Sequence, residues 1–192
     1  MKIAINNQNK GAVGEHLVAA RLLILGHDAS ITNFTVNNSK SFDLFCRHEK
    51  SGNIVPIQVK TTSSANFHTG ITHEPFFDDN GNVDMAKGRQ FVEQKIICPW
   101  VFVDVSGDAE KPNIRYFVLT RQQVIDFICI TEEWYLTWSG RKKPLSHKGI
   151  ILLSLKWFGD AHVLEPKKAL HDALINPFEN IDFEDAWDNI WK

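Results

Sequence analysis

The stretch Ile54-Val55-Pro56-Ile57-Gln58-Val59-Lys60 decides how this chain is read. From Ile57 onward apolar and polar residues alternate, and side chains on a strand have a period of two. Ile57 and Val59 therefore point one way, and Gln58 and Lys60 the other. A strand that buries one face while aiming an amide and an ammonium together off the other can build a polar site. Upstream, Ser41-Phe42-Asp43-Leu44-Phe45-Cys46 places Asp43 between Phe42 and Leu44, which are expected on the opposite face. Between the two runs lies Lys50-Ser51-Gly52-Asn53, good turn chemistry for an antiparallel hairpin. Such a hairpin would set Asp43 beside Gln58 and Lys60. Oxygen ligands and a cation at one spot are what metal-assisted cleavage of a phosphodiester needs.

Outward from this hairpin, the periodicity predicts a helix from Asn9 to Gly26, with Val13, Leu17, Ala20 and Leu23-Ile24 at helical spacing and Gly26 as C-cap. Gly is poor in a helix interior, so Gly14 points to a close approach by another backbone or a ligand. Strands are predicted at 28–35, 41–49 and 54–63, and an irregular loop at 64–83. A helix at 84–97 follows, then β-rich runs at Trp100–Val105 and Arg115–Leu119 about a turn at Ser106-Gly107-Asp108. Thr120 caps a helix at 121–130 with Gln123 at the capping-box position. Residues 131–149 read as irregular and basic, Ile150–Phe158 as a strand, and 165–175 and 181–191 as helices. The order helix, three strands, helix, strand (αβββαβ, with C-terminal additions) predicts a mixed α/β fold with a central mixed sheet flanked by helices. A core domain is expected over 1–160, with a C-terminal helical extension over 161–192 packed on it.

At 192 residues and 43% apolar, the chain can bury one ordinary core. Six Trp and 13 Phe imply that large side chains seal core edges or an interface. The net charge of −2 does not by itself mark a nucleic-acid binder, but its distribution is uneven. Segments 1–60 and 109–159 are net basic, and 61–108 and 160–192 net acidic. Cys46, Cys98 and Cys129 are odd in number and far apart, which fits buried thiols in a reducing compartment. The N-terminus lacks a signal-peptide core, and no run reaches the roughly 20 apolar residues of a membrane span. A cytoplasmic protein without a membrane segment is expected.

Gly14-Glu15 followed by Ala19-Ala20, Leu22-Leu23 and Gly26, an Asp in the second strand and Gln-Val-Lys in the third resemble the PD-(D/E)XK nuclease superfamily, in its restriction-endonuclease-like and Holliday-junction-resolvase-like branch. The resemblance covers residues 9–105. It implies a restriction-endonuclease-like core and a Mg²⁺- or Mn²⁺-dependent endonuclease acting on nucleic acid, with DNA as the expected substrate. It makes Asp43 the central metal ligand, Gln58 the second ligand, the Val59 carbonyl a backbone ligand, Lys60 the catalytic lysine and Glu15 a helix acid that helps hold the metal or its water. Gln58 departs from the commoner Glu, although some branches use Gln. A carboxamide oxygen is still a hard ligand, but one negative charge is lost, so metal affinity should fall. Lys60 would stabilise phosphate charge or orient the attacking water.

Other readings stand beside these. Glu15 could instead favour the positive end of its helix. Thr61, Thr62 and Ser63 could donate to phosphate oxygens, or simply end a strand. Arg141, Lys142 and Lys143, near Trp134, Tyr135 and Trp138, suit a nucleic-acid backbone or a solvated basic loop equally. His68 and His73, with Glu74, Asp78 and Asp79 nearby, could suggest a second metal site, but their spacing matches no tight zinc pattern and the segment reads as a polar, mobile loop. Phe183, Trp187, Ile190 and Trp191 share a helical face suited to packing on the chain itself, or to a dimer mate. A homodimer is compatible, since two strands need two cuts. The rival classes are a catalytically inactive nuclease-fold module that binds nucleic acid or a protein partner, and a partner-binding protein using its aromatic, acidic C-terminal half.

Overall fold

The computed structural model describes residues 7–32, 42–64, 66–138, 149–154 and 181–192. Its elements in chain order are α1 (Asn7–Ile24), β1 (Asp28–Ile31), β2 (Leu44–Arg47), β3 (Ile54–Thr62), β4 (Asn66–Thr72), α2 (Met85–Lys95), β5 (Trp100–Asp108), β6 (Lys111–Leu119), α3 (Arg121–Glu133) and β7 (Ile150–Ser154). The chain divides into two compact units. The first holds residues 1–64, 96–124 and 183–192, and the second holds 65–95 and 125–182. The boundary expected at residue 160, the helix expected at 165–175 and the basic cluster Arg141, Lys142 and Lys143 lie outside the described residues.

The first unit is a five-stranded mixed sheet in the order β1-β2-β3-β5-β6 with α1 packed on it. β1, β2 and β3 are antiparallel neighbours, β3 and β5 run parallel, and β5 and β6 form a hairpin. The β2–β3 turn is closed by His48 N donating to Asn53 O at 2.8 Å and Gly52 N donating to His48 O at 2.9 Å. Helix α1 ends in a Schellman motif. Gly26 takes φ 88° and donates to Leu23 O, while His27 N donates to Leu22 O. Val18 and Leu22 of α1 bury against Leu44, Ile57, Val101 and Val103, all 0% exposed, so the α1 face of the sheet is a closed apolar layer.

Several predicted elements change in this unit. The second strand starts at Leu44, so Phe42 lies before it and does not share the Leu44 face; its ring packs on Phe45, 4.7 Å between centroids. Ser106-Gly107-Asp108 is not a turn. Its residues pair with Asn113, Pro112 and Lys111, which moves the turn to Ala109-Glu110 and sets an acid opposite a base at the hairpin's end. The C-terminal stretch is a short 3-10 segment, Trp187–Trp191, in place of a helix over 181–191. Glu184 makes a β-bridge to Phe117, and Val118 N donates to Phe183 O, so this backbone is spent on the β6 edge.

In the second unit, β4 pairs antiparallel with β7, where the sequence suggested an irregular loop. Phe67, Thr69 and Ile71 are buried and alternate with exposed Asn66, His68 and Gly70. His73, expected in a mobile loop, is 9% exposed, and its Nδ1 lies 2.6 Å from Oε1 of Glu132, which is fully buried on α3. The His73 ring stacks on Tyr135 at 4.9 Å. The capping box of α3 forms as the sequence predicts: Gln123 N donates to Thr120 Oγ1, and Thr120 N to Gln123 Oε1. Residues 131–138, expected irregular, continue α3 and end in a π-helical turn, Trp134–Trp138. Among the described residues no helix is long and apolar enough to cross a membrane.

Candidate active site

Asp43, Gln58 and Lys60 all lie in the first unit, and the β2–β3 register brings them together. Leu44 lies opposite Ile57, so Asp43 arrives opposite Gln58 at the mouth of the hairpin. Its backbone is held from both sides. Asp43 N donates to Ile57 O at 2.8 Å, and its carbonyl accepts from Thr32 N at 2.9 Å and from Thr32 Oγ1 at 3.0 Å. Thr32 is 1% exposed, so this clamp is sheltered from water. The side chain is then aimed at β3. Asp43 Oδ2 accepts from Val59 N at 2.7 Å and from Gln58 Nε2.

Gln58 Nε2 also donates to Val59 O at 3.4 Å. One amide nitrogen thus faces two oxygens, the Asp43 carboxylate and the Val59 carbonyl. Gln58 is only 9% exposed, and its backbone N donates to Pro99 O at 3.1 Å, which ties this point of β3 to the start of β5. Lys60, two residues on and half-buried, projects from the same face as Gln58, and its Nζ lies 5.1 Å from the centroid of the Trp100 ring. Ile57 and Val59 take the opposite face, into the α1 layer.

The electrostatics follow from burial. Withdrawal from water pushes the Asp43 carboxyl above the usual carboxylate range, while the Val59 N–H, the Lys60 ammonium and the Gln58 amide pull it back. Burial likewise pushes the Lys60 ammonium below its ordinary value, with Asp43 and Cys98 acting against that shift. Cys98 is a buried thiol outside any disulfide, pushed up to about 11 chiefly by burial, so it stays protonated.

Glu15 is half-buried near the middle of α1, following Gly14. The first turn of α1 holds no acid, so Glu15 is too far along the helix to serve the positive helix end. Gly14 is where β3 approaches. A Cβ there would lie 1.7 Å from Thr61 Oγ1 and 3.0 Å from Thr61 Cβ. The close neighbour is therefore a threonine side chain rather than a backbone or ligand. Strand alternation places Thr61 on the Val59 face, so its hydroxyl is buried toward α1 instead of facing a phosphate. Thr62 is 3% exposed, with its hydroxyl engaged by Ser64, and Ser63 is half-buried.

Among the described residues, no group of three or more His, Cys, Asp or Glu converges so as to hold a metal ion. Among the described residues an ion here has at most two such groups to use, so neutral oxygens must complete its shell. The donors present fit that demand. Asp43 Oδ2 and Val59 O already converge on one point, now taken by an amide N–H, and a half-turn of the carboxamide would offer Oε1 to the same point. Such a set suits a hydrated divalent ion of the Mg²⁺ kind, which keeps several waters and takes one or two carboxylates. Thr32, Trp100 and Cys98 carry no local sequence signal for their place here; the pairing of β1 with β2 and of β3 with β5 brings them to it.

The fold and site define a mixed α/β protein whose central sheet carries a partly buried Asp–Gln–Lys cluster at the mouth of a hairpin. No protein-family model matches the chain, and no curated protein does. Among solved structures it is similar to a bacterial homing endonuclease, I-Ssp6803I, at 14% identity and a TM-score of 0.37, covering 64% of this chain and 74% of that one.

Proposed function

We propose that this chain is a metal-dependent nuclease that hydrolyses phosphodiester bonds of nucleic acid, with DNA as its substrate. The observation that carries the reading is the placement of Gln58 Nε2 against both Asp43 Oδ2 and Val59 O, with Lys60 on the same strand face. Asp43, the Gln58 amide oxygen and the Val59 carbonyl would hold Mg²⁺ or Mn²⁺, and Glu15 would hold one of its waters. When bound, such an ion supplies hydroxide near neutral pH and neutralises charge on the phosphate. The chain's own groups do the rest. Asp43, clamped by Thr32, fixes the position of the ligand oxygens. Lys60 presents a compact cation toward the phosphate. The apolar layer beneath β3 keeps the strand from shifting.

Titration calorimetry with Mn²⁺ and a cleavage assay on plasmid DNA test the reading. Wild type should bind the ion and cut. Asp43→Asn should lose both, whereas Lys60→Ala should bind the ion and fail to cut. Undiminished cleavage in both variants would remove the mechanism. One observation favours a second reading, a catalytically inactive module that binds nucleic acid or a protein partner. An amide stands where a second acid would give the ion its charge balance. That reading expects no Mn²⁺ heat in wild type, together with salt-sensitive DNA binding if nucleic acid is the partner.

A further inference from the structure

We propose that Trp100 is the positioning residue for the Lys60 ammonium, its indole face seating the cation at the Asp43 end of the sheet. The inference rests on Lys60 acting at the site proposed above. It starts from the parallel register of β3 and β5, in which Gln58 lies beside Trp100 and Lys60 beside Phe102. Neighbours across a ladder share a face, so the amide, the ammonium and both rings project together. Lys60 Nζ lies 5.1 Å from the Trp100 centroid, inside the distance of about 6 Å at which a cation is drawn to a ring face.

The ring cannot easily move. Trp100 is 5% exposed, and its ring packs at a tilt on Phe102, 5.7 Å between centroids. Lysine has the opposite character, a flexible four-carbon stem ending in a point charge. A half-buried ammonium has given up part of its water and gains from attraction by what surrounds it. The charged and titratable groups that act on Lys60 are Asp43 and Cys98, and Cys98 is protonated. Asp43 and the Trp100 ring face thus both attract the ammonium. Any apolar side chain could fill the space at position 100; an indole also attracts the charge. Trp is the strongest ring for this purpose.

The test compares Trp100→Phe with Trp100→Leu. These two side chains are close in volume but differ in whether they carry a ring face, so loss of packing is largely matched between them. NMR of labelled lysine reads the Lys60 ε-methylene in each folded variant, without metal or nucleic acid. Its protons should stay shifted upfield in wild type and the Phe variant, and return to ordinary values in the Leu variant. Equal methylene shifts in the two variants would overturn the seat. Because this readout does not involve catalysis, a wild-type protein that fails to cut DNA overturns the nuclease reading separately. Where wild type does cut, the Leu variant should lose about two- to fivefold more activity than the Phe variant. A common loss with equal methylene shifts would mark Trp100 as packing alone.

Discussion

Replacing Gln58 by Glu puts a second carboxylate against the first, and the structure sets the size and sign of the result. In wild type Gln58 Nε2 donates to Asp43 Oδ2. Ionised Glu cannot donate, so a hydrogen bond to a charged group is lost, a loss of about 1.5–3 kcal/mol. The position is only 9% exposed, and burial already raises the Asp43 carboxyl. Two such acids in contact share one proton. At low pH that shared proton restores the bond, and as pH rises its removal leaves two buried like charges. For a chain of this size roughly 2–4 °C of melting temperature accompanies each kcal/mol. A deficit of about 2 kcal/mol therefore lowers the melting point of Gln58→Glu by roughly 4–8 °C at pH 8 in EDTA. The gap should close near pH 5. Added Mn²⁺ should reverse it, because an ion at a hundred times its Kd stabilises the folded form by about 2.7 kcal/mol. Scanning fluorimetry across pH, with Mn²⁺ or EDTA, reads all of this. A gap that is equal at pH 5 and pH 8 and indifferent to Mn²⁺ would refute the claim that these two side chains share a cation position.

Asp43→Asn should change stability in the opposite direction. Burial is the largest influence on Asp43 and raises it above its ordinary value of 3.8, so the folded protein holds this proton more tightly than the unfolded chain. Stability is then lost as pH climbs from the ordinary carboxylate value through the raised one, and the penalty stays constant above it. The Asn variant escapes that penalty; it should melt above wild type at pH 8 and level with it near pH 4, and a variant less stable at both would contradict the assignment. Gly14→Ala should destabilise by about 1–3 kcal/mol, because overpacking against Thr61 outweighs the gain in helix propensity. Urea unfolding measures it, and Thr61→Ala in the same chain should recover part of the loss; a more stable Gly14→Ala would show that the α1–β3 contact has slack.

Much of this protein was legible in local patterns. Helix α1 and its Gly26 stop, the β2–β3 hairpin and the Thr120 capping box depend on residues near one another in sequence, whose spacing carries the physics directly. Alternation at Ile57–Lys60 separated the apolar face from the polar one, and turn chemistry at residues 50–53 made it possible to expect Asp43 near Gln58. The β4 strand also left a trace in the alternation of Phe67, Thr69 and Ile71. Its partner β7 lies some eighty residues away, however, and a strand without a visible partner reads as a loop.

Tertiary structure alone decided the remainder. Whether Asp43 bonds Gln58 depends on a register in which a one-residue slip would send the carboxylate to the other face. Thr61 turned out to be a packing neighbour of Gly14, and Trp100 a neighbour of Lys60, because parallel pairing of β3 with β5 and docking of α1 are long-range events. The direction of each shift at Asp43 and Lys60 is set by how much water the finished fold excludes, a quantity that belongs to the whole packed unit and is written in no single segment.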